Sequence, residues 1–321
     1  MSYPDFDFPL SLKKLCASYG ALSETYRGGG ASKDIKTQGE ALAYAVARMP
    51  ATYAAVSRVL YELQTLSNLS INSVLDLGSG PGTTFWALKN YFPKASVTLV
   101  EQNPFILEVL RSLIKEESVP PQVSPQDILK FTPENSDLVV LSYVLSEIPE
   151  NKRKDLLEKV WASTAKALIL VEPGTPKGFH EILKARSFLI DQDAHILAPC
   201  GHNAPCPLEN TSDWCHFPVR VSRTAAHQAL KRGKLSYEDE KFSYIVALKE
   251  PCEVPYPRIL KKPLKKPGHM KMELCTPTGK EQQTFTKSKN PNYKDLLDLK
   301  WGDLLKEEKA EASPPRRPKA P

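Results

Sequence analysis

The chain contains no apolar run long enough to cross a bilayer, so neither a membrane-spanning helix nor a membrane partner is expected. Its first residues, MSYPDFDFPL, have neither the basic-then-apolar layout of a secretory signal nor the Arg-rich, acid-poor character of an organelle transit peptide, and the expectation is a cytoplasmic protein. It has only 6 cysteines in 321 residues. In a reducing compartment these are poor candidates for structural disulfides, and no disulfide-linked partner is expected. Internal repeats are absent too. With 41% apolar residues the chain can bury one large core or two modest ones.

What is present is unevenly distributed. Residues 1–219 carry 20 Lys and Arg against 24 Asp and Glu, whereas residues 220–321 carry 23 against 13. The net +6 of the chain is therefore a property of its C-terminal third, which suits either a solvated basic face or a polyanion such as RNA.

Periodicity predicts an N-terminal helical arm over residues 1–70, with helices near 38–48 and 51–66 parted by Pro50. From Ser73 short β-branched runs alternate with helical patterns: SVLDL, a helix over 83–91, SVTLV, a helix over 104–116, DLVVLS, a helix over 151–162, and KALILVE. This predicts a parallel sheet with crossover helices over residues 71–250. A further helix near 179–191 leads into a cysteine-rich insertion, about 195–220, before FSYIVALK at 242–249 completes the sheet. Residues 251–303 read as a basic β-hairpin module built on HMKMEL and QQTFTK. Residues 304–321 have little to bury and are expected to be disordered.

VLDLGSGPGT, at 74–83, is a strand running into a glycine-rich turn and a helix. Gly78, Gly80 and Gly82 allow a ligand to approach the backbone at the strand's C-terminal edge. Asp76 precedes the turn, and Glu101, ending the next strand, is placed to accept hydrogen bonds from ribose hydroxyls. A dinucleotide would use the same chemistry, but G-x-G-x-G in place of G-x-G-x-x-G, in a sheet preceded only by helices, favours S-adenosylmethionine. The stretch 73–172 resembles the class I S-adenosylmethionine-dependent methyltransferase fold, a Rossmann-like α/β architecture. That resemblance implies a cofactor set of Asp76, Gly78, Gly80, Gly82, Glu101 and Asp127, the last reading the adenine edge. No acceptor chemistry is visible: the place of an Asn/Asp-Pro-Pro-aromatic box is taken by LSYVLSEIP, and no cysteine occupies a nucleophile's motif. Tyr143, Ser146 and Glu147 are candidates to line the pocket, or are simply a strand end and a helix cap.

Cys200, Cys206 and Cys215 follow a C-x5-C-x8-C spacing, with Cys275 far downstream. Four thiolates suit zinc or an iron-sulfur cluster. Neither C-x2-C knuckle of a zinc ribbon is present, while His202, His216 and His269 leave a mixed zinc site open.

The segments APCGHNAPCPL, SDWCHFPVRVSR, PRILKKPLKKPGHMKMELCTPTG and WGD, with ARMPATYAAVSRVL in the arm, resemble the methyltransferase-like small-ribosomal-subunit assembly factor family across about residues 20–303. The resemblance implies a [4Fe-4S] cluster on Cys200, Cys206, Cys215 and Cys275, binding to the small subunit and its rRNA, and little or no methyl transfer. Members are best known from mitochondria, and the lack of a transit peptide points to a bacterial-type member. Arg258, Lys261, Lys262, Lys265 and Lys266 are the expected phosphate contacts, with Arg220 and Arg223 either joining them or neutralising the cluster's thiolates. The rival readings are an active rRNA methyltransferase with a structural metal and, behind it, an iron-sulfur redox enzyme or sensor.

Overall fold

The computed structural model describes residues 10–27, 32–252 and 257–306. Most of the expected disordered tail, from Glu307 onward, lies outside these residues, as do the first residues of the arm.

The chain opens with α1 (Leu12–Arg27) and α2 (Gln38–Leu66). Thr37 caps α2 by accepting from the Glu40 amide at 3.2 Å, and the Glu40 carboxylate accepts from the Lys36 amide at 2.8 Å. This reciprocal pair satisfies amides that the first turn leaves without partners. The expected break at Pro50 does not occur: α2 runs through it as one helix. An interior proline costs about 3 kcal/mol. Val56, Val59, Leu60 and Leu63, all fully buried, recover about 1.5–3 kcal/mol each. The helix packs on the sheet with one face and against α1 and later helices with the other.

The sheet then builds as β1 (Ser73–Leu77), α3 (Thr83–Tyr91), β2 (Ser96–Val100), α4 (Pro104–Ile114), β3 (Gln122–Ser124), β4 (Ser136–Ser142), α5 (Glu150–Ala162) and β5 (Thr164–Pro173). Next come α6 (Pro176–Asp191), β6 (His195–Ala198), β7 (Phe217–Ser222), α7 (Ala225–Lys231) and β8 (Tyr237–Leu248). Helices α4 and α6 start where an N-cap side chain meets a proline in the first turn, Asn103-Pro104 and Thr175-Pro176.

Strand order is β3-β2-β1-β4-β5-β8-β6, with β7 also on β8. β1 to β5 are parallel, and β8 runs antiparallel to β5. The order reverses between β1 and β4, which opens a crevice at their carboxyl ends. One apolar cluster fills the face under α2, α3 and α4, and another fills the opposite face under α5 and α6.

The cysteine segment is flanked by two strands absent from the sequence reading. β6 pairs with Val246–Leu248 and β7 with Tyr237–Phe242, so both lie on one edge of β8, end to end. The loop 199–216 leaves and rejoins the same sheet edge.

The C-terminal module is a second, antiparallel sheet of β9 (Arg258–Ile259), β10 (Leu264–Lys266), β11 (His269–Thr276) and β12 (Gly279–Thr286), followed by the short α8 (Tyr293–Leu296). The expected hairpin is β11–β12, from His269↔Thr286 to Thr276↔Gly279. Alternation buries Met270, Met272 and Leu274 against Ile259, Tyr293 and Leu305. Among the described residues no helix is long and apolar enough to cross a membrane.

Candidate cofactor cavity and thiol cavity

The glycine turn folds against the end of β2. The amides of Gly78 and Ser79 both donate to the Val100 carbonyl, at 2.9 and 3.0 Å. The Gly80 amide donates to the Glu101 carboxylate at 3.0 Å. Gly80 has φ +55°, and a β-carbon there would meet only the Tyr44 ring at 3.9 Å, so its open side faces a cavity. Gly78, Gly80, Glu101 and Asp127 line that cavity of about 240 Å³ at the switch point.

Two predicted residues stand apart from it. Gly82 is the N-cap of α3, where a β-carbon would come within 2.6 Å of Leu110 Cδ1, so its absent side chain serves packing. Asp76 lies fully buried beneath the turn, and neither carboxylate oxygen has a well-formed hydrogen bond. Burial pushes its carboxyl up to about 7, only partly offset by the neighbouring Thr84 hydroxyl, with Glu101 adding repulsion. Burial also raises the Glu101 carboxyl against the pull of three amides, those of Gly80, Gln102 and Asn103. Asp127 accepts from the Leu129 amide at 3.0 Å, as a loop aspartate does, while lining the cavity.

Sequence reasoning missed the roof. Ser32, Lys33 and Tyr44 cover the cavity from the arm. Glu147 accepts from the Ser32 amide at 3.2 Å and from its hydroxyl at 2.6 Å. The Asn103 amide donates to the Ile35 carbonyl at 2.9 Å. No local pattern marks residues 32–35 as a roof, because every partner that holds them is distant in sequence.

An orphaned buried carboxylate beneath a turn open to a cavity is the environment a cationic ligand group would complete. The open side of Gly80 and the Glu101 carboxylate, which retains accepting capacity for ribose hydroxyls, fit S-adenosylmethionine, with Asp76 a layer below the turn.

The second site is formed by the cysteine loop. Cys200, Cys206, Cys215 and Cys275 line one small cavity, walled also by Arg186 and Leu208. Cys275 sits on β11 directly opposite Arg258 of β9. The loop is braced from several sides. Arg186 donates to the His202 and Ala204 carbonyls, both at 2.8 Å. Arg258 Nε donates to the Pro199 carbonyl at 2.8 Å, Ser243 to the Cys215 carbonyl at 2.7 Å, and the Trp214 indole to the Gly174 carbonyl at 3.0 Å. The Cys200 thiol is held down, to about 6, by hydrogen bonding with Cys275 and by the arginines. Burial raises Cys215 and Cys206, and repulsion by the Cys200 thiolate adds to it. The Cys275 thiol is raised by its bond to Cys200 and by burial. Four thiolates cannot coexist there without added positive charge. Among the described residues, no three His, Cys, Asp or Glu side chains approach closely enough to grip a single metal ion. The remaining cysteines, Cys16 and Cys252, lie elsewhere, the latter donating to the Leu66 carbonyl.

The expected role of Arg258 in phosphate binding is corrected. It is 1% exposed and forms a two-pronged salt bridge with Glu62 of α2 at 3.0 and 2.9 Å. A further hydrogen bond runs to the Gly302 carbonyl at 2.7 Å. Arg58 joins the same cluster, reaching Glu62 at 2.9 Å and Asp303 at 3.2 Å. One guanidinium thus ties together the cysteine loop, the arm and the WGD segment. Trp301 packs edge-on against His216, which stacks on Trp214.

The lysines divide. Lys261 pairs with Asp213 at 2.7 Å, and Lys265 donates to the Leu297 carbonyl. Lys262 and Lys266 are exposed and form no ion pair among the described residues. Arg220 pairs with Asp239 and Arg223 with Glu238, both at 2.6 Å.

The sheet order, the antiparallel strand beside β5 and the glycine turn at the switch point define a class I methyltransferase-type Rossmann-like fold. Residues 38–306 match the family model described as mitochondrial small ribosomal subunit Rsm22, and the chain belongs to that family. It is 28% identical over 303 residues to the human ribosome assembly protein METTL17, mitochondrial, covering 87% of this chain and 65% of that protein. It is 27% identical to the Schizosaccharomyces pombe Rsm22-cox11 tandem protein 2, mitochondrial, over 84% of this chain and 43% of that one. The chain thus spans less than two thirds of the length of these relatives. A solved structure of magnesium protoporphyrin IX methyltransferase from Synechocystis PCC 6803 aligns with a TM-score of 0.44 at 15% identity, over 76% of this chain and 100% of that one. The expectation of a cytoplasmic, bacterial-type protein does not stand: the named relatives are mitochondrial proteins.

Proposed function

We propose that this chain is a small-ribosomal-subunit assembly factor that binds S-adenosylmethionine and rRNA, carries a [4Fe-4S] cluster and transfers methyl groups little or not at all. The observation that carries the reading is membership of the Rsm22 family across residues 38–306, whose relatives are named as ribosome assembly proteins. S-adenosylmethionine would be held by the turn at Gly78 and Gly80, with Glu101 and Asp127 toward its nucleoside and Asp76 beneath its cationic end; it supplies an activated methyl group. Support comes from the orphaned Asp76 carboxylate and the open side of Gly80.

The four cysteines lining one braced cavity support the cluster. Its chemistry here is that of a crosslink joining the sheet-edge loop to the C-terminal module. Lys262 and Lys266 are the best-placed phosphate contacts of the original set. The sequence LSYVLSEIP standing in place of an Asn/Asp-Pro-Pro-aromatic acceptor box supports binding without transfer.

The test is co-sedimentation of the tagged protein with immature small-subunit particles, together with a methyl-transfer assay on the RNA in those particles using labelled S-adenosylmethionine. Association without label in the RNA supports the reading. Stoichiometric label would make the chain a working rRNA methyltransferase, and failure to associate would remove the assembly role.

A further inference from the structure

A second and larger cavity, a groove of about 760 Å³, adjoins the cofactor cavity and shares Lys33, Tyr44, Tyr143 and Glu147 with it. It lies over the ends of β4 and β5 and is closed on the far side by α1, through Tyr19 and Ser23. Its walls are prebuilt. Residue 32 is clasped by Glu147 and residue 35 by Asn103, so the arm is fixed as one side of the groove.

Its chemistry is distinctive. Lys33, Arg48 and Lys177 bring three cations to the groove, and Tyr19, Tyr44 and Tyr143 bring three aromatic rings. The carboxylates facing it are Asp34 and Glu147, the latter occupied by Ser32. Arg48 covers one face of Tyr143 at 5.3 Å and reaches Glu240 at 3.5 Å, so it orders the wall between the two cavities. Lys177, exposed in the first turn of α6, has no ion pair among the described residues. Flat apolar rings interleaved with cations recognise a nucleotide: the base stacks, and the phosphate meets an ammonium.

Backbone strain marks the same place. Tyr143 has φ +61°, a left-handed conformation that a bulky residue adopts at a cost of order 1–3 kcal/mol. Its hydroxyl donates to Glu240 at 2.9 Å, which fixes the ring at the boundary of the cavities.

We propose that this groove seats one unpaired nucleotide of an RNA, with its phosphate toward Lys177 and its base against Tyr19 and Tyr143. The inference rests on the RNA-binding part of the function proposed above and places a contact far from the C-terminal module. A free nucleoside monophosphate shares the same chemistry, so the test includes one.

The experiment uses the full-length protein and a short single-stranded RNA bearing 4-thiouridine, with uridine monophosphate as the free-nucleotide arm. Crosslinked peptides are mapped, and RNA affinity is titrated against salt for wild type, Lys177→Glu, Lys177→Gln and Tyr19→Ala. S-adenosylmethionine affinity is measured by calorimetry for each, and thermal melting reports folding. The proposal expects adducts within residues 19–23 or 143–147. Tyr19→Ala should weaken RNA binding about tenfold, the size of one lost base stack. The Lys177 variants should flatten the log-log salt slope by about 0.7, the value for one lost phosphate contact. S-adenosylmethionine affinity should not change. Adducts confined to residues 257–306, or wild-type affinity and slope in the folded Lys177 variants, would overturn the groove while leaving RNA binding by the module intact. Uridine monophosphate that binds the groove and is not displaced by RNA would overturn the RNA assignment. Loss of all RNA binding in wild type would instead defeat the function proposed above.

Discussion

The cofactor cavity and the thiol cavity lie in one chain but are built on opposite plans. At the first, a buried carboxylate has only the Thr84 hydroxyl beside it, and burial keeps a proton on Asp76 up to about pH 7. At the second, polar groups are cross-braced: the carbonyls of Pro199, His202, Ala204 and Cys215 each accept from a side chain outside the loop. The first arrangement stores a cost that a ligand relieves. The second holds the four cysteines in place by contacts that reach the arm, the sheet edge and the C-terminal module together. The contrast teaches that ligand loss should affect the two differently, as a local change at one and a spreading one at the other.

The sharpest break in this comparison is Arg258→Met. Removing the buried partner leaves Glu62 with the partly exposed Arg58 alone and costs up to about 3–5 kcal/mol. Chemical denaturation should show that loss, and hydrogen exchange should report faster opening of both loop 199–216 and the WGD segment. Loss confined to one of them would show that Arg258 does not couple them. The double change Glu62→Leu with Arg258→Met should recover much of the stability, since no buried charge remains.

Gly80→Arg addresses the other cavity. A side chain at φ +55° projecting into the open space beside Tyr44 should abolish S-adenosylmethionine binding in a folded protein. Calorimetry that finds unchanged affinity would place the ligand elsewhere.

Titration gives a smaller effect with a definite sign. The Asp76 carboxyl is raised by burial from 3.8 to about 7, so between those values the native state holds a proton that the unfolded state has lost. The contribution of Asp76 to the stability of the ligand-free protein should therefore fall as pH rises from about 4 to about 7 and level off above that. Binding a cationic ligand favours the ionised carboxylate, so affinity for S-adenosylmethionine should rise as pH passes through about 7, with protons released on binding. Asp76→Asn should flatten this pH profile. An unchanged profile would remove Asp76 from the account.

The smallest effect belongs to the exposed lysines. Replacing Lys262 and Lys266 with glutamine should leave melting unaffected and reduce the salt slope of RNA binding by about 0.7 per contact. Lys261→Gln should instead perturb the Asp213–Glu273–Lys280 cluster with less effect on RNA.

Much of the fold was legible because its signals are local. The parallel strands, the turn at Gly78 and Gly80, and the β11–β12 hairpin follow from periodicity and glycine placement. What was missed depends on distant partners. Pro50 reads as a break because propensity cannot register the burial of α2 on two sides. Arg258 reads as part of a basic run because its partners, Glu62, Pro199 and Gly302, lie 196, 59 and 44 residues away. Strands β6 and β7 are short and bracket a polar loop, so only their shared edge on β8 defines them. The roof formed by Ser32 and Tyr44 was invisible for the same reason.

The most direct test of the account is the iron and acid-labile sulfide content of protein purified without oxygen, measured alongside Cys206→Ser, Cys275→Ser and Cys252→Ser variants. The account predicts brown protein with about four irons per chain. That metal should be lost when Cys206 or Cys275 is changed and kept when Cys252 is changed. Stoichiometric zinc with no iron, or iron that survives loss of Cys275, would contradict it.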